Sequence, residues 1–186
     1  MRLLTLTLLA AWPLAGFATE QVVDPETGLV TWQTETAGIQ VRLTQISPDQ
    51  ARAFYQARGF SPKATERYAR ECVFMTVVRN IGELPIQHNL ANWRYVSAGL
   101  PPRAIRSKVA WEYLWKRQGV AESARIAFTW AQFPATQTFA PGDWNQGMTT
   151  YNVPRGGPFD LRFVWRAGSK IHSGKLEQVR CADEDS

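Results

Sequence analysis

Apolar and polar residues alternate along several short stretches of this chain, a pattern typical of β-strands with one buried face. Residues 29–36 and 39–47 both alternate in this way, and only Ala37 and Gly38 separate them. This spacing predicts a β-hairpin with a tight turn. The strongest strand signal lies at residues 72–80, where apolar side chains occupy both faces. Such a segment is expected in the middle of a sheet that is covered on both sides.

Further strands follow in the second half of the chain. In residues 123–131, Ile126, Phe128 and Trp130 alternate with other residues, which predicts a half-buried strand with these three on one face. The sequence Pro141-Gly142-Asp143 predicts a type II turn. Main strands are expected at 147–153 and 159–165, and an edge strand at 175–181.

Two Ser-Pro pairs predict helix starts. Ser47-Pro48-Asp49-Gln50 combines an N-cap residue, proline at the first helical position and Gln three residues after the cap. A second pair at residues 61–62 begins another short helix that runs to about residue 69. Residues 104–118 fit a helix or a strand, because Trp111, Tyr113 and Trp115 alternate while other apolar residues follow helical spacing. We favour a helix that ends at Gly119.

The order and spacing of these elements predict a mainly β fold. We expect an immunoglobulin-like antiparallel β-sandwich with one or two short helices attached in its N-terminal part. Residues 19–186 are expected to form one domain, with a helical insertion at about 47–70.

Residues 1–18 have the pattern of an export signal. Arg2 precedes an apolar run from residue 3 to residue 14, and small residues at 16–18 form a cleavage site before Thr19. The apolar run is too short for a stable membrane span. We therefore expect a periplasmic or secreted protein with no membrane span after cleavage.

The charge of the chain is moderate and dispersed. Cleavage would leave 20 Lys and Arg residues against 16 Asp and Glu, because one of the 21 basic residues is Arg2. Nucleic-acid binding would require a concentrated basic stripe, so we do not expect a nucleic-acid partner.

The two cysteines, Cys72 and Cys181, are expected to form a disulfide. An exported protein with two cysteines usually pairs them, and they lack the close spacing of a redox-active pair. The bond would close a loop of about 110 residues and stabilise the fold by about 4–5 kcal/mol.

Two segments carry a resemblance to a known family. FMTVVRNIGELPI at residues 74–86 and FAPGDWNQGMTTYNVPRGGPFDLRFVW at 139–165 resemble bacterial exported immunoglobulin-like domains of the telokin-like type. In that family a strand ends in Asn-x-Gly, and a Pro-Gly turn later opens a hairpin of the same sheet. The resemblance covers about residues 72–165; it implies a fold and no particular activity.

No catalytic signature is found in the sequence. The two histidines come with no nucleophile elbow. Of the available carboxylates, Asp143 and Asp160 lie in a turn and at a strand start, where structural hydrogen bonding explains them. We therefore predict a non-enzymatic protein without a cofactor. His88, His172 and Met148 are weak candidates for soft-metal ligands, which keeps copper handling as one alternative.

Tryptophan is unusually abundant, with seven such residues after position 18. We expect Trp130 and Trp165 in the core, and Trp111, Trp115 and Trp144 on the surface, where Lys116 and Arg117 would add positive charge. The leading hypothesis is a non-catalytic binding module, an accessory protein of an envelope complex that contacts a protein partner through residues 103–118 and 143–147. The other alternative is binding of carbohydrate or cell wall by exposed tryptophans.

Overall fold

A computed structural model describes residues 19–97 and 99–183. Two antiparallel β-sheets and four short α-helices make up this part of the chain, so the mainly β sandwich expected from the sequence is confirmed. The predicted export signal at residues 1–18 lies outside the described residues.

The first sheet contains the predicted hairpin and the apolar central strand. Its five strands, in spatial order, are β1 (Glu20–Val23), β2 (Val30–Thr36), β3 (Ile39–Ile46), β4 (Cys72–Asn80) and β9 (Trp144–Tyr151). Ala37 and Gly38 both have positive φ, 40° and 82°, as a two-residue turn between twisted strands requires. β4 pairs with β3 on one side and with β9 on the other, so its two neighbours come from distant parts of the sequence.

The second sheet is built around its longest central strand. Its six strands are β5 (Ile86–Asn89), β6 (Arg94–Ser97), β7 (Arg103–Ala104), β8 (Thr136–Phe139), β10 (Pro158–Ala167) and β11 (Lys170–Arg180). β10 pairs with β11 along its whole length on one side. On its other side, β10 pairs with β6 through its first half and with β5 through its second half. The predicted edge strand is confirmed as β11 and is longer than expected.

Three of the four helices begin at a serine N-cap, and the fourth has Ala121 at this position and no side-chain cap. The helices are α1 (Pro48–Gln56), α2 (Pro62–Ala69), α3 (Lys108–Arg117) and α4 (Glu122–Ala131). At α1, Ser47 Oγ accepts a bond from the Gln50 amide while the Gln50 side chain accepts one from the Ser47 amide, which confirms the predicted capping box. The helix favoured for residues 104–118 is confirmed as α3.

The strand predicted at residues 123–131 is wrong, because this segment is helix α4. Ala124 and Phe128, four residues apart, are buried on one face of the helix, whereas Ile126 and Trp130, also four apart, are exposed on another. Alternating apolar residues therefore reflect two opposed helix faces. The one or two helices expected in the N-terminal part are α1 and α2, and the helix favoured for residues 104–118 is α3, so α4 is the helix that the sequence did not predict.

Two cores lie on opposite faces of the first sheet. Along β4, Phe74 and Val78 point into the core between the sheets, while Val73 and Met75 point toward the helices. The second core is a cluster of aromatic side chains between the first sheet and the four helices, including Tyr55, Phe60, Tyr68, Trp111, Trp115 and Phe128. The structure thus has three layers, helices on one sheet and that sheet on the other.

The predicted disulfide is present and joins the two sheets. Cys72 begins β4 in the first sheet, and Cys181 follows β11 in the second. Their Cα atoms are 5.3 Å apart although 109 positions separate them in sequence. Both side chains are buried, so the bond lies inside the core between the sheets.

Replacing both cysteines with serine is expected to lower the free energy of unfolding by about 4–5 kcal/mol, because the unfolded chain is no longer restrained by a long closed loop. Urea unfolding of the wild type and of the double variant measures this difference. Dithiothreitol should destabilise the wild type and leave the double variant unchanged. A loss below about 1 kcal/mol would show that the cross-link contributes little.

Because residues 122–131 form a helix, two aromatic residues close together in sequence are expected to differ strongly in their contribution to stability. Phe128→Ala is expected to cost about 3–5 kcal/mol of unfolding free energy, because the ring is fully buried in the second core. Trp130→Ala is expected to change stability by no more than about 0.5 kcal/mol, because 85% of the side chain is exposed. Similar losses at both positions would instead support the strand.

Candidate functional site

Trp111 and Trp115, predicted to form part of an exposed binding surface, are completely buried. The two indole rings stack at 4.9 Å, and Trp111 Nε1 donates a hydrogen bond to Thr150 Oγ1 at 3.0 Å. Both residues lie four apart on the face of α3 that packs against the first sheet and the other helices. Their place in the predicted binding surface is therefore corrected: they belong to the second core.

Lys116 and Arg117, predicted to lie beside exposed tryptophans, are exposed as expected. They follow Trp115 directly in sequence, but successive helical residues are turned by about 100°, so the charges point to solvent while the indole rings point inward. Lys116 forms an ion pair with Glu112 at 3.7 Å, and the Arg117 guanidinium lies 5.8 Å from the centre of the Tyr113 ring.

Large apolar side chains are nevertheless exposed on this helical hairpin. Val109 and Tyr113 on α3 are 71% and 64% exposed, and Ile126 and Trp130 on α4 are 53% and 85% exposed. We refer to these four residues, together with Lys116 and Arg117, as the helical face. The prediction that Trp130 lies in the core is wrong, since its ring is the most exposed large apolar side chain in the described part of the chain.

The helical face has a shallow groove with an ion pair in its floor. Glu112 of α3 bridges to Arg125 of α4 and holds the two helices together. The groove has a volume of about 380 Å³ and is also lined by Lys116, Glu122, Ile126, Thr129 and Trp130. An apolar, aromatic patch with polar residues around it is the usual composition of a protein–protein contact.

Trp144, the remaining predicted surface tryptophan, is 58% exposed, in agreement with the prediction that it reaches solvent. It is the first residue of β9 and follows the turn at Pro141–Asp143, in which Gly142 has a φ of 85° and the Asp143 amide donates to the Ala140 carbonyl. Its ring lines a depression of about 390 Å³ on the outer face of the first sheet. We call this depression the open groove. Its lining residues are Gln40, Arg42, Val77, Arg79, Trp144 and Gln146.

His88 lies in the core between the sheets and not in a polar loop. Its ring packs against Trp93, Phe133 and Phe139, with centroids 5.1–5.9 Å away. Neither ring nitrogen has a hydrogen-bond partner among the described residues. Burial lowers the pKa of His88 to about 4, because a charged imidazolium cannot be solvated there.

The three weak metal candidates do not converge. His172 stacks on Trp165 at 5.4 Å, and Trp165 lies between His172 and His88 across neighbouring strands. Met148 points to the other side of the first sheet, where its sulfur accepts a bond from the Tyr55 hydroxyl at 3.2 Å. Within residues 19–97 and 99–183, no group of three His, Cys, Asp or Glu side chains is placed to hold a metal ion.

Comparison of the chain with protein-family models, with curated proteins and with solved structures finds no match. The similarity to exported immunoglobulin-like domains therefore stays a prediction. None of the helices in the described residues has the length and apolar character needed to cross a bilayer.

Neither the helical face nor the open groove was predicted from the sequence in the form that the structure gives it. Trp130 could have been found by reading residues 122–131 as a helix, since Ile126 and Trp130 then share one side. Arg42 and Arg79 occupy outward positions of two correctly predicted strands, but their proximity depends on how those strands pair.

The buried His88 predicts a loss of stability in acid. Its pKa is lowered from 6.5 to about 4 on folding, so the unfolded chain binds a proton first. The contribution of His88 to the free energy of unfolding is therefore greatest above pH 6.5. It declines as the pH falls toward 4, by up to about 3 kcal/mol. We expect His88→Phe to remove this part of the pH dependence and His172→Gln to retain it.

Urea unfolding at pH 7 and pH 4.5 tests this expectation, with the difference between wild type and His88→Phe separating the histidine from titrating carboxylates. Equal pH dependence in these two proteins would contradict it.

Proposed function

We propose that this chain is a non-catalytic exported binding protein that docks through its helical face on an acidic protein partner in the cell envelope. The observation that carries the proposal is Trp130, which is 85% exposed although five other tryptophans of the described chain are buried. Exposed aromatic rings are costly in water and are enriched among the residues that dominate binding energy at protein interfaces.

The geometry around Trp130 supports a protein contact. Ile126 lies one turn before it on α4, and Val109 and Tyr113 form a second apolar stripe on α3. Both stripes lie on a short helical hairpin that is anchored by Trp111 and Trp115 in the second core. A partner would therefore meet a preorganised surface and would lose little binding energy to ordering it.

The charges of the helical face favour an acidic partner. Glu112 forms an ion pair with Arg125, so its carboxylate contributes little negative potential. The exposed Glu122 offsets one of the remaining positive charges. Lys116 and Arg117 remain at the surface, beside the C-terminal end of α3. Complementary charge at the edge of an apolar contact speeds association and disfavours wrong partners.

Export is part of this proposal and is supported by two observations. The chain begins with the pattern of an export signal, and the disulfide between Cys72 and Cys181 is of the kind that persists in oxidising compartments.

Replacing Trp130 with Ala tests the proposal. The protein is purified with its disulfide intact, immobilised and used to capture proteins from an envelope extract, which are identified by mass spectrometry. We expect one acidic protein to be recovered in defined stoichiometry, and its affinity for the Trp130→Ala variant to fall at least about tenfold, as for an aromatic interface anchor. Its recovery should also fall as the salt concentration rises.

Trp144→Ala and Ile171→Ala are matched controls. Both remove an exposed large apolar side chain, 58% and 67% exposed, far from α3 and α4 in the fold. Retention of the partner by both controls and its loss with Trp130→Ala support the helical face as the contact. Equal recovery with all four proteins, or no partner above background, would contradict it.

A further inference from the structure

The helices cover only part of the outer face of the first sheet. They pack over Val73, Met75 and Met148, which belong to the second core. Two rows of outward-facing residues at the other end of the sheet remain open to solvent. The first row crosses the strands through Glu35, Gln40, Arg79 and Trp144, and the second through Gln33, Arg42, Val77 and Gln146.

These rows place two arginines on one surface. Arg42 on β3 is the cross-strand partner of Val77, and Arg79 on β4 is the partner of Gln40, so the arginines are diagonal neighbours on the same face. Like charges at this spacing repel each other unless an anion lies between them.

Neither guanidinium has an ion-pair partner among residues 19–97 and 99–183. The Nε atom of Arg42 is also shielded from solvent without a hydrogen-bond partner among the described residues. Some other arginines of the chain do bind a carboxylate, among them Arg70, Arg106 and Arg125. A carboxylate placed between the two guanidinium groups would offset their mutual repulsion through charge-assisted hydrogen bonds.

Trp144 provides an aromatic wall beside these charges. It faces Arg79 across the pair of strands β4 and β9 and is 58% exposed. The face of an indole ring carries negative potential and attracts the polarised C–H groups of a sugar ring. Gln40 and Gln146 add amide groups, of which Gln40 donates to Glu35 at 2.6 Å and keeps its carbonyl free to accept from a hydroxyl.

We propose that the open groove binds a carboxylate-bearing saccharide. The carboxylate lies between Arg42 and Arg79, the sugar ring stacks on Trp144, and the amides of Gln40 and Gln146 contact its hydroxyl groups. The groove volume of about 390 Å³ suits one or two sugar units. The site goes beyond the proposed function, because β3, β4 and β9 form it without any residue of the helical face.

Calorimetric titration of the disulfide-intact protein with matched disaccharides tests the proposal. Two carboxylated probes represent two sources of the same chemistry: digalacturonate for acidic polysaccharides and N-acetylglucosaminyl-N-acetylmuramic acid for the cell wall. Neutral galactobiose is the matched uncharged probe. We expect at least one carboxylated probe to bind, and galactobiose to bind at least about tenfold more weakly, because charge-assisted bonds dominate the contact.

Substitutions then assign the binding to the groove. Arg79→Gln and Trp144→Ala should each weaken binding of the carboxylated probe at least about tenfold. Arg42→Gln should also weaken binding. The Arg79→Gln variant is the more informative of the two, because Arg79 is exposed and its replacement leaves the core intact. Arg162→Gln, an exposed arginine on β10, and Trp130→Ala, an exposed tryptophan on α4, are controls that should change the affinity by less than about twofold.

Four results would overturn the proposal. The first is absence of binding by both carboxylated probes, and the second is equal binding of galactobiose. The third is unchanged affinity in Arg79→Gln. Inorganic phosphate or adenosine monophosphate binding as tightly as the saccharides would show a general anion site and would also overturn it. None of these outcomes depends on whether the helical face binds a protein.

Discussion

Burial of the first sheet on both faces is the constraint on which the rest of this structure depends. β4 places Phe74 and Val78 against the second sheet, and Val73 and Met75 against the helices. A sheet that is apolar on both faces must be covered twice, and a single sandwich partner can cover only one face. In this fold the four helices cover the face of the first sheet that the second sheet leaves open. The disulfide then fixes the start of β4 to the end of the second sheet, so the two layers that meet in the inter-sheet core are joined covalently.

The helical layer is smaller than the sheet it covers, and this mismatch separates two surfaces. The aromatic cluster around Trp111 and Phe128 fills the space over one end of the first sheet. At the other end, most outward positions are polar: Gln146 lies beyond Met148 on β9, and Arg42 and Arg79 lie on β3 and β4. The helices themselves present a second row of side chains to solvent. One layer thus leaves both an open groove on the sheet and an exposed helical face.

Local signals predicted the elements, whereas contacts between distant segments decided which side chains reach solvent. The hairpin at Ala37 and Gly38 and the capping box at Ser47 depend on neighbouring residues, so the sequence was sufficient for them. The alternation ending at Trp130 fitted a strand as well as a helix with two apolar faces, and only packing of Phe128 into the second core decides between them. The pairing of β3 with β4, which brings the two arginines of the open groove together, cannot be read from either strand alone.

The distribution of tryptophans connects the stability of the fold with the binding proposed for its surface. In residues 19–97 and 99–183, five indole rings are buried to 98% or more, and Trp130 and Trp144 alone are largely exposed. Burying a ring of this size is among the most stabilising contributions that one side chain can make, so exposure at two positions is not explained by folding. Each of the two lies beside cations on a rigid element, Trp144 next to Arg79 on the first sheet and Trp130 on the hairpin that carries Lys116. The buried rings stabilise the fold, and the two exposed rings lie on the two surfaces for which binding is proposed.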